Sequence, residues 1–263
     1  MISKIALEGV THDFESKRKG GATRALDQVS LAIEPGSFVC LLGPSGCGKS
    51  TVLNLVAGFE RPSQGSVLVD GNPVVGPGPD RGVVFQEALL LPWKNVLGNV
   101  TFGSQLAGRL NEQSLAQARH YLHLTGLDGF EDHATYELSG GMRQRVALAR
   151  AWMVEPPVLL MDEPFGALDA QTRLSMQELL INIWTEARTT VLFVTHDVDE
   201  ALFLADRIVV MSARPGRIIQ DLPVPFARPR DYEALIREPL FASLKQTILH
   251  TVREQARLGL GVS

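Results

Sequence analysis

An α/β fold with a mostly parallel, covered sheet is predicted by three features of the chain. From Val158 onward, apolar runs of strand length alternate with stretches of helical period. The first third is almost entirely strand-like. Between the two lies a block with helical spacing, about residues 87–157, which is expected to be inserted into the α/β core.

In chain order, IALEGV, VSLAI, FVCLL and SVLVD read as strands, the last closed by the turn dipeptide Asp70-Gly71. Lys17, Arg18 and Lys19 in ESKRKGGAT read as a solvated hairpin tip. A helix from Lys49 to Ala57 follows FVCLL and stops at Gly58. After the strand VVFQ, closed by Gln86, the segment Asn111 to Gly126 carries Leu115, Ala118 and Leu122 at helical spacing. In ELSGGMRQRVALARA, Val146, Ala149 and Met153 share one helical face behind a glycine turn. Strand VLLM, helix Ala170 to Arg188, strand TVLFV, helix Val198 to Ala205 and strand RIVVM then alternate. The long helix is expected to bury Met176, Leu179, Leu180, Ile183, Trp184 and Ala187. The stretch Tyr232 to Val252 is amphipathic through Leu235, Ile236, Leu240, Phe241, Leu244 and Ile248, and reads as a docked terminal helix. The expected division is an α/β domain over 1–225, with the helical insertion inside it, and a helical tail over 226–263.

Composition narrows the function. A net charge of -4 gives no basic field of the kind that favours nucleic acid, so none is expected as a partner. The longest apolar runs fall far short of the roughly 20 residues that span a bilayer, and the N-terminus shows no secretory h-region, so a cytosolic protein is expected. Cys40 and Cys47 suit a reducing compartment better than a disulfide.

Gly43-Pro44-Ser45-Gly46-Cys47-Gly48-Lys49-Ser50, followed by Thr51, matches the phosphate-binding loop G-x-x-x-x-G-K-[ST] between a strand and a helix. Its glycines let backbone amides curl round phosphates, Lys49 reaches β and γ oxygens, and the Ser50 hydroxyl suits magnesium. Cys47 at a helix N-terminus is expected to favour its thiolate. VLLMDEP places Asp162 and Glu163 at a strand's C-terminal end, where an open parallel sheet binds ligands. Asp162 suits a magnesium shell and Glu163 the polarisation of an attacking water. Gln86 and His196 close two further strands at the same edge, Gln86 to complete the metal shell and His196 to meet the γ-phosphate or the water. His120 and His123 form half a metal site with no third ligand near and read as surface residues.

These motifs, in this order and over nearly the whole length, resemble the nucleotide-binding subunit of ATP-binding cassette (ABC) transporters. The resemblance rests on Gly43 to Ser50, Gln86, LSGGM from Leu138 to Met142, Asp162 with Glu163, Ala167 to Asp169, and His196. It implies the P-loop ABC ATPase fold: a RecA-like, mostly parallel core, an N-terminal antiparallel β subdomain and an inserted helical subdomain. It also implies ATP and Mg²⁺ as cofactors, and Phe14 as the ring stacking on adenine, where tyrosine is more usual. Two chains would form a homodimer head to tail, Ser139, Gly140 and Gly141 of one capping the γ-phosphate held by the other, with Asp169 in the loop between. Separate transmembrane permease subunits and, indirectly, a solute-binding protein are implied partners, with the chain at the cytoplasmic face of the inner membrane. LLPWKNV belongs to the part that meets the permease, where Trp93 is either an exposed anchor or a core tryptophan. GPGPDRGVVFQEALLLPWKNVLGNVTFG and VVMSARPGRI resemble importers of taurine, other sulfonates and nitrate, with taurine importers the nearest. A soluble cassette acting on nucleic acid or ribosomes usually carries two cassettes or a long coiled-coil insertion, neither present here. A small-molecule kinase leaves LSGG, Ala167 to Asp169 and His196 unexplained.

Overall fold

The computed structural model describes residues 3–16 and 21–260, which divide into two compact units, Met1–Gly78 with Thr190–Ser263 and Pro79–Thr189. Lys17, Arg18 and Lys19 lie outside the described residues.

In the first unit, β1 (Ile5–Ser16) pairs antiparallel with β2 (Gly21–Ile33) on one side and with β4 (Gln64–Val69) on the other. Both long strands extend well beyond IALEGV and VSLAI, because their distal halves are polar and show no alternation. The turn into the two-residue β5 (Asn72–Pro73) uses Asp70 and Gly71 at φ 51 and 75, the left-handed pair that a tight hairpin needs. Buried Val29, Leu31 and Ile33 alternate with exposed residues along β2, so one face of this sheet packs inward.

The same unit contains β3 (Phe38–Leu42), flanked in parallel by β8 (Thr190–Thr195) and β9 (Arg207–Met211), with β10 (Ile218–Pro223) antiparallel on β9. Every residue of β3 and β8 is buried, the pattern of parallel strands covered on both faces. Helix α7 (Val198–Leu204) makes the crossover from β8 to β9, and α1 (Lys49–Ala57), which follows β3, packs against β8. The strand β10 escaped the sequence reading because it is a half-exposed edge of mixed polarity ending in proline.

In the second unit β6 (Arg81–Val84) runs parallel to β7 (Val158–Asp162). Strand pairing ends at Val84, so Gln86 lies two residues past the strand rather than closing it. Between these strands come α2 (Val96–Val100), α3 (Phe102–Leu106), α4 (Glu112–Leu124) and α5 (Gly140–Trp152); α6 (Ala170–Ala187) follows β7. Fully buried Asn99 organises the approach to α2, accepting from the Leu91 amide at 2.8 Å and donating to three carbonyls. Leu115 is only half-buried on α4; Ala118 and Leu122 are enclosed. On α6 Met176, Leu180, Ile183 and Trp184 are buried, but Leu179 is only half-buried and Ala187, in the last turn, is exposed.

The C-terminal stretch forms α8 (Tyr232–Leu235) and α9 (Pro239–Leu260), the latter packed on α7. Leu235, Phe241 and Ile248 are buried, whereas Ile236 and Leu240 face outward, because the chain turns between the two helices and breaks the period. Arg230 donates to the carbonyls of Leu202, Phe203 and Ala205 at 3.2, 2.8 and 2.8 Å, and Arg228 to that of Leu204, so two guanidiniums satisfy the end of α7. Burial pushes the Arg230 pKa down to about 10, which still leaves it charged at neutral pH.

Trp184 fills the core of its unit, and its Nε1–H donates to the Thr189 carbonyl at 2.7 Å. Trp184→Phe should cost about 1–3 kcal/mol by leaving that carbonyl unpaired, and Trp184→Ala about 3–5 kcal/mol by adding a cavity. Urea unfolding of the three chains measures both steps.

Candidate functional site

Parallel register decides which loops are neighbours. Leu42 pairs with Thr195, so the loops that begin at Gly43 and His196 leave adjacent strand ends. The loop cannot tolerate a side chain at its base. A Cβ on Gly43 would lie 2.7 Å from Cys47 Sγ; one on Gly48 would lie 2.6 Å from Leu26 Cδ2, and Gly48 sits at φ 102. Ser45 and Gly46 form an exposed rim with Pro44 half-buried beneath, Ser50 is exposed, and Thr51 is buried behind it. Lys49 is 6% exposed, and its Nζ donates to the carbonyls of Gly43 at 2.9 Å and Pro44 at 3.2 Å. These partners are neutral, and the ammonium stands at the first turn of α1, where the helix dipole is positive. Such a concentration of donors around an ammonium held by neutral carbonyls suits an anion such as a triphosphate.

Cys47 departs from expectation. Its side chain is 1% exposed, and burial pushes the thiol pKa up, outweighing the nearby Lys49 charge that pulls the other way. The thiolate expected at a helix N-terminus is therefore disfavoured, because burial of the sulfur outweighs the backbone amides of Cys47 and Lys49 that also favour the charged form.

His196 is exposed between β8 and the capped start of α7. Asp197 accepts from the amides of Asp199 (2.9 Å) and Glu200 (3.2 Å), and the Thr195 hydroxyl donates to buried Glu200. This network fixes the backbone on both sides of the histidine. Phe14 lies on β1, 41% exposed, with the ring of His12 edge-on at 4.6 Å between centroids. One face of an aromatic ring is thus presented outward.

In the second unit Val84 pairs with Met161, so Gln86 and the Asp162-Glu163 pair also leave neighbouring strands. Glu163 adopts φ 45, a left-handed conformation rare for a residue with a Cβ, and one often tolerated at working sites. Gly166 lies between the two groups: a Cβ there would be 3.4 Å from Gln86 Nε2 and 3.8 Å from Glu163 Oε2. An amide and a carboxylate so placed can hold a metal ion and orient water.

Ser139 is the N-cap of α5, its Oγ accepting from the Met142 amide at 3.2 Å. The amides of Gly140 and Gly141 follow in the first turn, where a helix has no internal acceptor for them. Ser139 and Gly140 are exposed. Asp169 caps α6, accepting from Thr172 N at 3.0 Å, and the Thr172 hydroxyl together with that amide holds its carboxyl below the usual range. An open cavity of about 410 Å³ is lined by Gln86, Gly140, Arg143, Gln144, Ala167 and Leu168, bringing three of the quoted motifs to one space. Gln144 and Arg150, which bind the loop after β6, were missed; a buried polar residue inside an apolar helical face is the signal that marks Gln144. His120 and His123 are surface residues as read, His123 meeting Asp128 at 3.0 Å.

The profile of the ABC transporter family matches residues 26–166. The chain is 50% identical to the nitrate import ATP-binding protein of Synechococcus elongatus, covering 86% of this chain and 83% of that one. It is 49% identical to a taurine import ATP-binding protein of Yersinia pestis, over 88% and 92% of the two chains. A solved ATP-binding cassette, described as a dimeric post-hydrolysis state bound to ADP and Pi, superposes with a TM-score of 0.73 at 31% identity, covering 85% of this chain and all of that one.

Because Cys47 is enclosed and its thiol form favoured, the folded chain should react with iodoacetamide at pH 7.5 at least about tenfold more slowly than the unfolded chain. Mass-spectrometric counting of modified cysteine with time checks this; rapid labelling of Cys47 in folded protein contradicts the buried geometry.

Proposed function

Since the chain belongs to the ABC transporter family, we propose that it is the ATP-hydrolysing subunit that energises a membrane importer of taurine or related aliphatic sulfonates. The observation that carries the reading is the loop Gly43–Ser50, where a buried ammonium and the first turn of α1 converge on one rim with only neutral oxygens as the ammonium's partners.

In this reading Lys49 leaves its two carbonyls for the β and γ oxygens of ATP, while loop amides hold the remaining phosphate charge. The ring of Phe14 stacks on the base. Ser50, Gln86 and Asp162 would hold Mg²⁺, which supplies charge neutralisation on the phosphates. Glu163, held in its left-handed turn, orients and deprotonates the attacking water, and His196 contacts the γ-phosphate. Ser139, Gly140 and Gly141 offer a second set of amides that serves the nucleotide of an opposing copy, so two chains enclose two ATP, with Asp169 and its cap in the connecting loop. Closure gains those donors their acceptor, and hydrolysis removes the charge that holds them. The dimeric neighbour supports this arrangement.

Among the described residues no helix is long and apolar enough to cross a membrane. Transmembrane permease subunits supply the path in this proposal, with a solute-binding protein delivering the solute and this chain at the cytoplasmic face of the inner membrane. Trp93, 75% exposed, and Leu89, 54% exposed, are suited to docking on a permease. Nitrate is the second reading for the solute, favoured by the Synechococcus relative. Assays in vesicles with the cognate permease and binding protein, loaded with taurine or with nitrate, separate the two: only the true solute accelerates hydrolysis.

Glu163→Gln should retain ATP binding, lose at least about a hundredfold in turnover and accumulate as a dimer with ATP; unchanged turnover contradicts the assignment. Chains carrying Lys49→Ala mixed with chains carrying Ser139→Arg should keep at most one working site per heterodimer. Full activity in isolated monomers overturns the shared arrangement.

A further inference from the structure

The loop that follows β6 is bound from one side by α5. Gln144, 4% exposed, donates from Nε2 to the Phe85 carbonyl at 3.3 Å. Arg150 donates from Nη2 to the Ala88 carbonyl and from Nη1 to the Leu89 carbonyl, each at 3.0 Å. Gln86 thus sits between two anchor points, one at the residue before it and one at the second and third residues after it. Leu89 is held at φ 41, a conformation L-residues rarely adopt, so the turn depends on contacts outside itself. Burial lowers the Arg150 pKa, consistent with a guanidinium withdrawn from water to serve the loop.

Resting on the proposed role of Gln86, we infer that Arg150, assisted by Gln144, is a positioning residue: it ties the loop Phe85–Leu89 to the helix that begins at Ser139, so that the Gln86 carboxamide is placed by α5. The helix runs about 16 Å from Ser139 to Arg150 at 1.5 Å per residue. Gly140 and Gln86 line one cavity and Gln144 holds Phe85 about one turn further on, so a displacement of the glycine turn carries both anchors of the Gln86 loop with it. The engagement of Ser139–Gly141 by an opposing chain and the placement of Gln86 then become one event.

The test compares the full chain as wild type, Arg150→Met, Arg150→Lys, Gln144→Leu and Gln86→Ala. Deuterium exchange of peptides covering 85–91 reads the tether directly. Arg150→Met should raise exchange there by about tenfold while β7 keeps its protection, with Arg150→Lys, able to reach one carbonyl, in between. In ATPase assays Arg150→Met should raise the half-maximal Mg²⁺ concentration about three- to tenfold and lower kcat, with Mg²⁺-free nucleotide binding changed less than about twofold. Wild-type exchange over 85–91 in Arg150→Met overturns the inference, as does loss of protection spread evenly through α5 and β7. Should Arg150→Met not fold, Arg150→Lys and Gln144→Leu decide the matter by the same exchange criterion. If Gln86→Ala leaves the Mg²⁺ dependence unchanged, the metal role of Gln86 fails, and exchange alone then judges the tether.

Discussion

Two parallel registers, Leu42 with Thr195 and Val84 with Met161, govern where each reactive group of this chain leaves its strand. A parallel pair cannot be closed by a hairpin, so each strand hands the backbone to a crossover at its C-terminal end. The phosphate loop and His196 therefore emerge side by side in one unit, and Gln86 beside Asp162 and Glu163 in the other. Strands buried on both faces carry apolar side chains along their length, with polar threonine admitted only at the two ends of β8. Their polar chemistry is confined to the residue at the strand end or the few that follow, which is where these groups are found.

Helix α5 joins two kinds of constraint. At its start Ser139 satisfies the Met142 amide and so defines which first-turn amides face outward. Further along, Gln144 and Arg150 spend their donors on backbone carbonyls of the loop after β6 rather than on carboxylates. Planar guanidinium groups suit this, since their fixed fork can meet two carbonyls at once. Arg230 uses the same geometry on the last turn of α7, the helix that follows His196, while Arg228 meets the Leu204 carbonyl and the Asp206 carboxylate. In both places arginine serves as a backbone clamp, on the Gln86 loop in one unit and on the C-terminal end of α7 in the other.

Several corrections share one cause. Cys47 lies at a helix N-terminus in sequence, yet its side chain turns inward against Gly43, and burial outweighs the Lys49 charge and the backbone amides. Ile236 and Leu240 continue an apolar period in sequence, yet the break between α8 and α9 turns them outward. Gln86 stands beyond its strand because pairing with β7 stops at Val84. Periodicity describes which side chains share a face on an ideal element; it is silent on where the element ends and on what packs against it.

The strand runs FVCLL, VLLMD and TVLFVT, the phosphate loop with its following helix, and the glycine turn at Ser139 were legible in the sequence, because each depends on neighbours only a few residues away. The edge strand β10, the buried Asn99, the arginine clamps and the left-handed turn at Glu163 were not. Each depends on partners far along the chain or on a backbone angle that no residue type announces: Arg150 reaches back some sixty residues to Ala88 and Leu89. Local sequence determines which groups can bind phosphate or activate water. Only the folded chain decides which backbone carbonyls those arginines satisfy, and hence how firmly each group is held, because burial makes a hydrogen bond between distant residues costly to leave unmade.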